Sequence, residues 1–380
     1  LIVEDLRVRF YTYEGIVKAI DDVSLYLRDG ETLGLVGETG CGKTVTVLSS
    51  MVLTPPPGKI IAGRVLLRTE DGKLINLLDL DERTLRSIRG KYMSIIFQEP
   101  GAALNPVYTV GDQIVEALIL HRRDYYVRKV IDELRSLLRS DGNILKRLWW
   151  KYELYIYNKL VRDEGSRLIK LISITPFLKR YRNKMVEIAW RDAVELLRDM
   201  EIADPERVAK MYPHELSGGM RQRAVIAMAL ASNPSILIAD EPTTSLDVTV
   251  QAQILELMRK LKKEYGSSII FITHDLGVAA EMCNRIAVMY AGNMVEIADT
   301  EKLFDKPLHP YTKGLLDSIP KAGKSLKGIP GTVPDLINPP SGCRFHPRCP
   351  HRFEPCDKVK PELKEVEKDH YVACHLYSLR

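Results

Sequence analysis

The chain has 380 residues, of which 45% are hydrophobic and 28% charged, and a formal net charge of +5. Such a composition belongs to globular chains of two or three domains with a sizeable core. No apolar run approaches the ~20 residues that a membrane-spanning helix needs, and the net charge is too small to argue for nucleic acid. The opening Leu1-Ile2-Val3-Glu4-Asp5 has neither Met nor the basic-then-apolar pattern of a signal peptide, and is expected to be a trimmed start.

In chain order, Leu6-Arg7-Val8-Arg9-Phe10 and Val23-Ser24-Leu25-Tyr26-Leu27 read as strands, with Arg28-Asp29-Gly30 as the turn that follows. Tyr11 and Tyr13 lie between them. Two readings stay open for each: an aromatic face that stacks on a ligand's ring, or a tyrosine filling a strand end. Glu31-Thr32-Leu33-Gly34-Leu35-Val36 then reads as a buried strand and residues 45–53 as the start of a helix. Between them stands Gly37-Glu38-Thr39-Gly40-Cys41-Gly42-Lys43-Thr44, which fits the Gly-x4-Gly-Lys-[Ser/Thr] phosphate loop. Glycines let the backbone curl so that successive N–H groups point at a β-phosphate, and the helix N-terminus adds positive potential. Lys43 is placed to reach the β- and γ-phosphates, and the Thr44 hydroxyl to sit on Mg²⁺. A glycine turn containing Lys-Thr by chance would not come with a strand before and a helix after, so a nucleoside triphosphate site is predicted.

Further on, Arg64-Val65-Leu66-Leu67 reads as a strand between the loops Pro55-Pro56-Pro57-Gly58 and Asp71-Gly72. Met93-Ser94-Ile95-Ile96-Phe97 is a buried-type strand that stops at Gln98, the end at which open α/β sheets bind ligands. An ordinary loop glutamine is the competing reading. Residues 111–200 look mostly helical: Val127, Val130, Ile131, Leu134, Leu137 and Leu138 follow helical spacing, as do Trp149, Tyr152, Ile156 and Leu160. From residue 122 to 191 there are 18 Lys and Arg against 8 Asp and Glu, leaving 37 against 42 elsewhere.

Leu216-Ser217-Gly218-Gly219-Met220 opens an Ala-rich helix and offers a second anion-binding N-terminus. Ser235-Ile236-Leu237-Ile238-Ala239-Asp240-Glu241 is a buried strand ending in two adjacent carboxylates, which is unfavourable unless they meet a cation. Asp240 suits Mg²⁺, and Glu241 suits a water that must lose a proton. Ile269-Ile270-Phe271-Ile272-Thr273 ends in His274, in the same ligand-facing position as Asp240. In the last stretch, Cys343, Cys349, Cys356 and Cys374 lie amid Pro339-Pro340, Pro347, Pro350 and Pro355. A loop-rich tail of this kind needs a staple, and an enzyme with this phosphate loop is expected in the cytosol, where structural disulfides are uncommon. Four thiolates suit zinc or an iron–sulfur cluster, and their intervals of five, six and seventeen residues are wider than the pairs usual for zinc. His346, His351, His370 and His375 are candidate substitutes for one ligand, with solvated loop histidines the favoured reading, and Cys41 and Cys283 stand outside the set.

Together these residues resemble the nucleotide-binding subunits of ATP-binding cassette (ABC) transporters over nearly the whole chain. The phosphate loop is followed in order by a Q-loop (Gln98), an LSGGM signature (Leu216 to Met220), a Walker B pair (Asp240, Glu241), a D-loop (Ser245, Asp247) and a switch histidine (His274). Within that family the chain is similar to dipeptide/oligopeptide importer ATPases, through Pro213-His214-Glu215, Met220-Arg221-Gln222-Arg223, Ala252, His309-Pro310-Tyr311-Thr312 and Cys343-Arg344-Phe345-His346-Pro347-Arg348-Cys349-Pro350.

The resemblance implies an α/β P-loop NTPase fold. A RecA-like core with an antiparallel β subdomain is expected at residues 1–111 and 226–325. An enlarged α-helical signature subdomain is expected at 112–225, and a small loop-rich metal-binding domain at 326–380. It implies ATP and Mg²⁺ as ligands, with Tyr13 on the adenine and Gly37, Glu38, Thr39, Gly40, Cys41, Gly42, Lys43, Thr44 and Val45 around the phosphates. Thr44, Gln98 and Asp240 would serve the metal and water, Glu241 would be the general base, and His274 would meet the γ-phosphate. Cassettes of this family face each other head to tail, so Leu216, Ser217, Gly218, Gly219 and Met220 would serve the ATP held by the partner. In the tail the resemblance implies a [4Fe–4S] cluster on Cys343, Cys349, Cys356 and Cys374, with Zn²⁺ the alternative.

The partners implied are a second, distinct ABC ATPase subunit, two transmembrane permease subunits and an extracytoplasmic solute-binding protein, with no nucleic acid. The chain would be peripheral on the cytoplasmic face of the membrane. Peptides are the first solute suggested, and relatives carry oligosaccharides or nickel. Two rivals are a non-transport ABC ATPase acting on ribosomes or DNA, and a regulator whose tail senses iron. The single cassette and the absence of a long coiled coil speak against the former.

Two departures from the family stand out. Cys41 replaces a common Ser, a small-for-small change. Gln98 and Leu216 are 118 positions apart, about twice the usual spacing, so an insertion is expected at about 122–190. Its basic, aromatic character leaves two readings, an arm lying on an anionic membrane surface or a helical hairpin packed on the subdomain with its charges in water.

Overall fold

Strands that are apolar along their whole length require a sheet covered on both faces. The computed structural model describes residues 1–139, 143–162, 181–244, 246–319 and 328–378. The chain divides into two units, Leu1–Gln98 with Pro234–Arg380, and Glu99–Asn233. The helical unit is therefore longer at both ends than the 112–225 expected.

In the first unit an eight-stranded sheet runs in the order β11 (Lys364–Glu367), β12 (His370–Val372), β10 (Asn293–Asp299), β9 (Arg285–Tyr290), β3 (Thr32–Val36), β8 (Ser268–Thr273), β7 (Ile236–Asp240), β6 (Met93–Ile96). The five strands from β9 to β6 are parallel, so their C-terminal ends share one edge. Every residue of β3, β7, β8 and β9 is buried. A separate antiparallel sheet has the order β2 (Gly15–Tyr26), β1 (Ile2–Thr12), β4 (Gly58–Arg68), β5 (Leu74–Asn76). One apolar cluster ties both sheets to the helix Lys43–Ser50 through Val8, Ile20, Leu35, Val47 and Met289.

One ion pair is sealed in this core. Arg285 Nη1 donates to Glu31 Oε1 at 3.1 Å, with the two side chains only 2% and 5% exposed. The guanidinium also lies 4.2 Å from the Tyr26 ring centroid, and its Nε and Nη2 atoms have no hydrogen-bond acceptor.

The C-terminal stretch is not the separate small domain expected at 326–380. It belongs to the first unit, because β12 pairs with β10 (Glu296↔Val372, Ile297↔Tyr371) and lengthens the main sheet. The physical reason is the edge of β10, whose backbone groups would otherwise face outward unpaired. Two tail histidines read as solvated are in fact buried. His370 Nε2 lies 2.8 Å from Glu296 Oε1, with both side chains fully buried, and His375 Nε2 lies 2.8 Å from the Val359 carbonyl. Arg344, also buried, bonds the Ala291 and Lys18 carbonyls and the Asp21 carboxylate.

The second unit is helical. Arg123–Arg139 packs against Ile144–Arg162 and against Tyr181–Asp199. Val127, Val130, Ile131 and Leu134 are buried on the first helix, Ile156, Tyr157 and Leu160 on the second, and Met185, Ile188 and Ala189 on the third. Tyr126 Oη and Lys129 Nζ both reach Asp192, at 3.0 and 2.8 Å, and Lys184 Nζ reaches Glu133 at 2.7 Å. Most of the insertion expected at 122–190 is thus a packed helical assembly whose charges are partly paired; its residues 140–142 and 163–180 lie outside the described set. Gly111, in the first turn of the helix Val110–His121, sits where any side chain would strike the Trp190 ring and the Ala209 carbonyl, so this helix start approaches its neighbours at backbone distance. Among the described residues no helix is long and apolar enough to cross a membrane.

Removing one partner of a buried ion pair strands the other. Glu31→Ala is expected to lower the unfolding stability by about 3 kcal/mol, and Glu31→Leu combined with Arg285→Met by less; urea unfolding of the three proteins checks the order.

Candidate functional site

The loop after β3 takes its shape from glycine at two positions. Gly37 has φ 158° and sits where a Cβ would strike the Met289 carbonyl oxygen, and Gly42, at φ 104°, abuts Ala19 and Ile20. Cys41 is fully buried, its N–H bonded to the Glu38 carbonyl at 3.2 Å and its own carbonyl to Gly292 N at 2.8 Å. Burial pushes its thiol above the usual range. Lys43 lies back across the loop, Nζ donating to the Gly37 and Glu38 carbonyls at 2.8 and 3.3 Å, and Val45 is half-buried in the helix behind. Glu38 N donates to the Tyr311 hydroxyl at 2.9 Å.

At the same sheet edge, β7 delivers its carboxylates. Thr44 Oγ1 donates to Asp240 Oδ1 at 3.1 Å. Two oxygens at that separation match neighbouring corners of an octahedron with ~2.1 Å bonds, the geometry of Mg²⁺. Burial pushes the Asp240 carboxyl above its usual range, the Thr44 hydroxyl opposes this, and the adjacent Glu241 charge adds to it. A divalent cation between these oxygens would relieve that unfavourable burial.

The next residue turns sharply. Glu241 has φ 45°, a left-handed conformation rare outside glycine, and its N–H bonds the Ile272 carbonyl at 3.1 Å. Its Oε2 then gathers three neighbours: Thr244 Oγ1 at 2.9 Å, His274 Nδ1 at 3.2 Å and Gln98 Nε2 at 3.4 Å. Glu241 is 14% exposed and His274 57%, so a small molecule reaching His274 also reaches the carboxylate. Thr244 went unnoticed in the sequence; its signal was its place three residues after a strand-end Glu in Asp-Glu-Pro-Thr-Thr, where a hydroxyl can fold back on the carboxylate.

Not every expected residue joins this cluster. Tyr13 lies in the turn between β1 and β2, fully exposed, and Tyr11 is 45% exposed with Lys59 Nζ 5.7 Å from its ring centroid, so neither fills a strand end in the core. In the helical unit Leu216 is buried, while Ser217 and Gly218 are exposed at the start of the helix Gly218–Leu230. Ser217 Oγ caps it, accepting from Met220 N at 3.3 Å, and Gly219 and Met220 are half-buried. Asp247 caps the helix Val248–Tyr265 through Val250 N at 3.0 Å; Ser245 lies outside the described residues.

In the tail, Cys343, Cys349, Cys356 and Cys374 line one small pocket with His309, His346, His351 and His375, and none of the four is in a disulfide. Burial pushes the Cys343 thiol up to about 12 and the Cys374 thiol up to about 11. Among the described residues, however, no three His, Cys, Asp or Glu side chains are arranged to hold a metal ion. The expectation of a ready-made metal centre, and of Zn²⁺ in particular, is corrected accordingly: one ion requires its ligands to converge on a point, and these do not.

Residues 20–244 match the family described as ABC transporter, and residues 295–356 match the one described as oligopeptide/dipeptide transporter, C-terminal region. The dipeptide transport ATP-binding protein DppD of Bacillus subtilis (strain 168) is 42% identical over 384 residues, covering 100% of this chain and 95% of that protein. The probable peptide ABC transporter ATP-binding protein y4tR of Sinorhizobium fredii (strain NBRC 101917 / NGR234) is 42% identical over 379 residues, covering 98% of this chain and 94% of that protein. The solved dimeric structure of MJ0796, a bacterial ABC transporter cassette, shares the fold, with a TM-score of 0.54 and 24% identity over 79% of this chain and 98% of that one. The chain belongs to the ABC transporter family and is an ABC-type ATPase.

Proposed function

We propose that this chain is the energy-coupling ATPase of an importer, moving peptides or related oligomeric solutes through partner permease subunits by ATP-dependent closure of a cassette dimer. The observation that carries the reading is the meeting of Gln98, Thr244 and His274 on Glu241 Oε2, beside the Thr44–Asp240 oxygen pair. In this reading the triphosphate lies along residues 37–44 with Lys43 turned from the loop carbonyls to the phosphates. Mg²⁺, held by Thr44 and Asp240 with Gln98 alongside, would supply charge neutralisation. Glu241 Oε2 takes a proton from the attacking water, and Gln98 and His274, already gathered at that oxygen, orient the water and the γ-phosphate. Tyr13 would stack on the adenine from its exposed turn.

Dimer closure is supported by the exposed N-terminus at Ser217 and Gly218, which offers N–H groups to an anion brought by a second chain. The family matched at residues 295–356 and the printed names of the relatives support peptides as the solute, and they favour transport over action on ribosomes or DNA. The partners of this reading are a distinct second ABC ATPase, two permease subunits and a solute-binding protein, with this chain peripheral at the cytoplasmic face where ATP is available.

For the tail, the reading is a [4Fe–4S] cluster on Cys343, Cys349, Cys356 and Cys374. It is supported by four cysteines that line one pocket and form no disulfide. When bound, such a cluster would supply a cross-link among four loop segments, and nothing in the hydrolytic step passes through it.

Two outcomes check these readings. Glu241→Gln is expected to keep ATP affinity while lowering hydrolysis by the assembled transporter at least ~100-fold; wild-type turnover would refute the assignment. Anaerobically purified chain is expected to carry about four irons and matching acid-labile sulfide, lost together on Cys349→Ser. Colourless protein without iron would overturn the cluster.

A further inference from the structure

The second residue of the phosphate loop is gripped by the tail. Arg348 Nη1 donates to Glu38 Oε2 at 2.8 Å and Nη2 to Glu38 Oε1 at 3.1 Å, a two-point guanidinium–carboxylate pair. The rest of the guanidinium is also engaged: Nε bonds the Pro330 carbonyl at 2.8 Å, Nη2 the Ile329 carbonyl at 3.3 Å, and Nη1 the Tyr290 hydroxyl at 3.3 Å. The Arg348 side chain is only 6% exposed, whereas Glu38 is 30% exposed. The Glu38 N–H in turn donates to the hydroxyl of Tyr311, a fully buried residue whose ring lies 4.6 Å from that of Tyr290 and 5.4 Å from that of Phe345. Backbone and side chain of one loop residue are therefore both anchored by groups more than 270 positions away.

We propose that Arg348 is a positioning residue of the ATP site, and that the tail is thereby a working part of that site. The inference rests on the reading that residues 37–44 hold the triphosphate. Two physical effects follow from the geometry. The paired carboxylate fixes the loop between Gly37 and Gly40, whose glycines give it freedom to take other shapes. It also cancels a negative charge within the loop that receives a highly negative ligand; a bare Glu38 would repel the triphosphate at short range, where screening is weak. Lysine cannot replace Arg348 fully, since a single ammonium lacks the planar fork that spans both carboxylate oxygens.

The test is titration of the full chain with mant-ATP in the presence of Mg²⁺, with thermal unfolding measured in parallel. Arg348→Ala is expected to weaken binding about tenfold, a change of about 1.4 kcal/mol. The double variant Arg348→Ala with Glu38→Gln is expected to recover affinity to within about threefold of wild type, because the unpaired charge is gone although the tail contact is still missing. Arg348→Lys, which keeps the charge and most of the packing, is expected to fall between wild type and Arg348→Ala, and serves if the alanine variant does not fold. Wild-type affinity in both single variants, or a double variant no tighter than Arg348→Ala, overturns the inference. Lys43→Ala marks the site itself: a wild-type chain that binds no mant-ATP, or one whose binding survives Lys43→Ala, overturns the site reading and this inference with it.

Discussion

A strand with no exposed residue, ending in two carboxylates, is the constraint on which the chemistry of this protein depends. β7 is apolar up to Ala239 and then places Asp240 and Glu241 at the sheet edge, where burial raises the cost of charge. The parallel neighbours resolve that cost in part. β3 leads into the loop that contributes Lys43 and Thr44, β8 leads to His274, and β6 leads to Gln98, so the groups that stabilise the carboxylates come from chain segments far apart in sequence. Because parallel strands send all their C-termini to one edge, a single topology assembles the cluster without any long loop having to fold around it.

The backbone turn at Glu241 completes this arrangement. In an extended conformation its side chain would continue the alternation of β7; at φ 45° it swings to meet Thr244, His274 and Gln98 together. The strain of a left-handed glutamate is of the order of 1–3 kcal/mol and is held by the bond to Ile272 and the packed sheet beneath. Rigidity of this sort suits the general-base role proposed for Glu241, in which a proton would be accepted at a defined point.

The tail serves the same edge from outside. It extends the sheet at β10, buries the His370–Glu296 pair, and through Arg348 reaches the phosphate loop. Its four cysteines are plain in the sequence, and so is their separation from Cys41 and Cys283; its place in the main sheet is not. Strand pairing between β12 and β10 could not be foreseen, because His370-Tyr371-Val372 is three residues long and carries no alternation to recognise. For the same reason two buried histidines passed for loop residues.

Local spacing determined what kind of protein this is. The phosphate loop, the buried strand ending in Asp-Glu, the strand-end Gln and His, and the Ser-Gly-Gly helix start each carry their signal within a few residues, since backbone curvature, strand burial and helix capping are local properties. The helices Arg123–Arg139 and Ile144–Arg162 were legible too, from their 3.6-residue apolar period, and Val127, Val130, Ile131 and Leu134 are buried as that period implies, but which charges paired was not legible. Only the tertiary structure decided which groups meet: that Thr244 joins Gln98 and His274 on one oxygen of Glu241, that Glu31 and Arg285 close on each other in the core, and that Arg348 holds Glu38. Such pairs depend on distances between segments set by sheet order and packing, and no single stretch of chain contains that information.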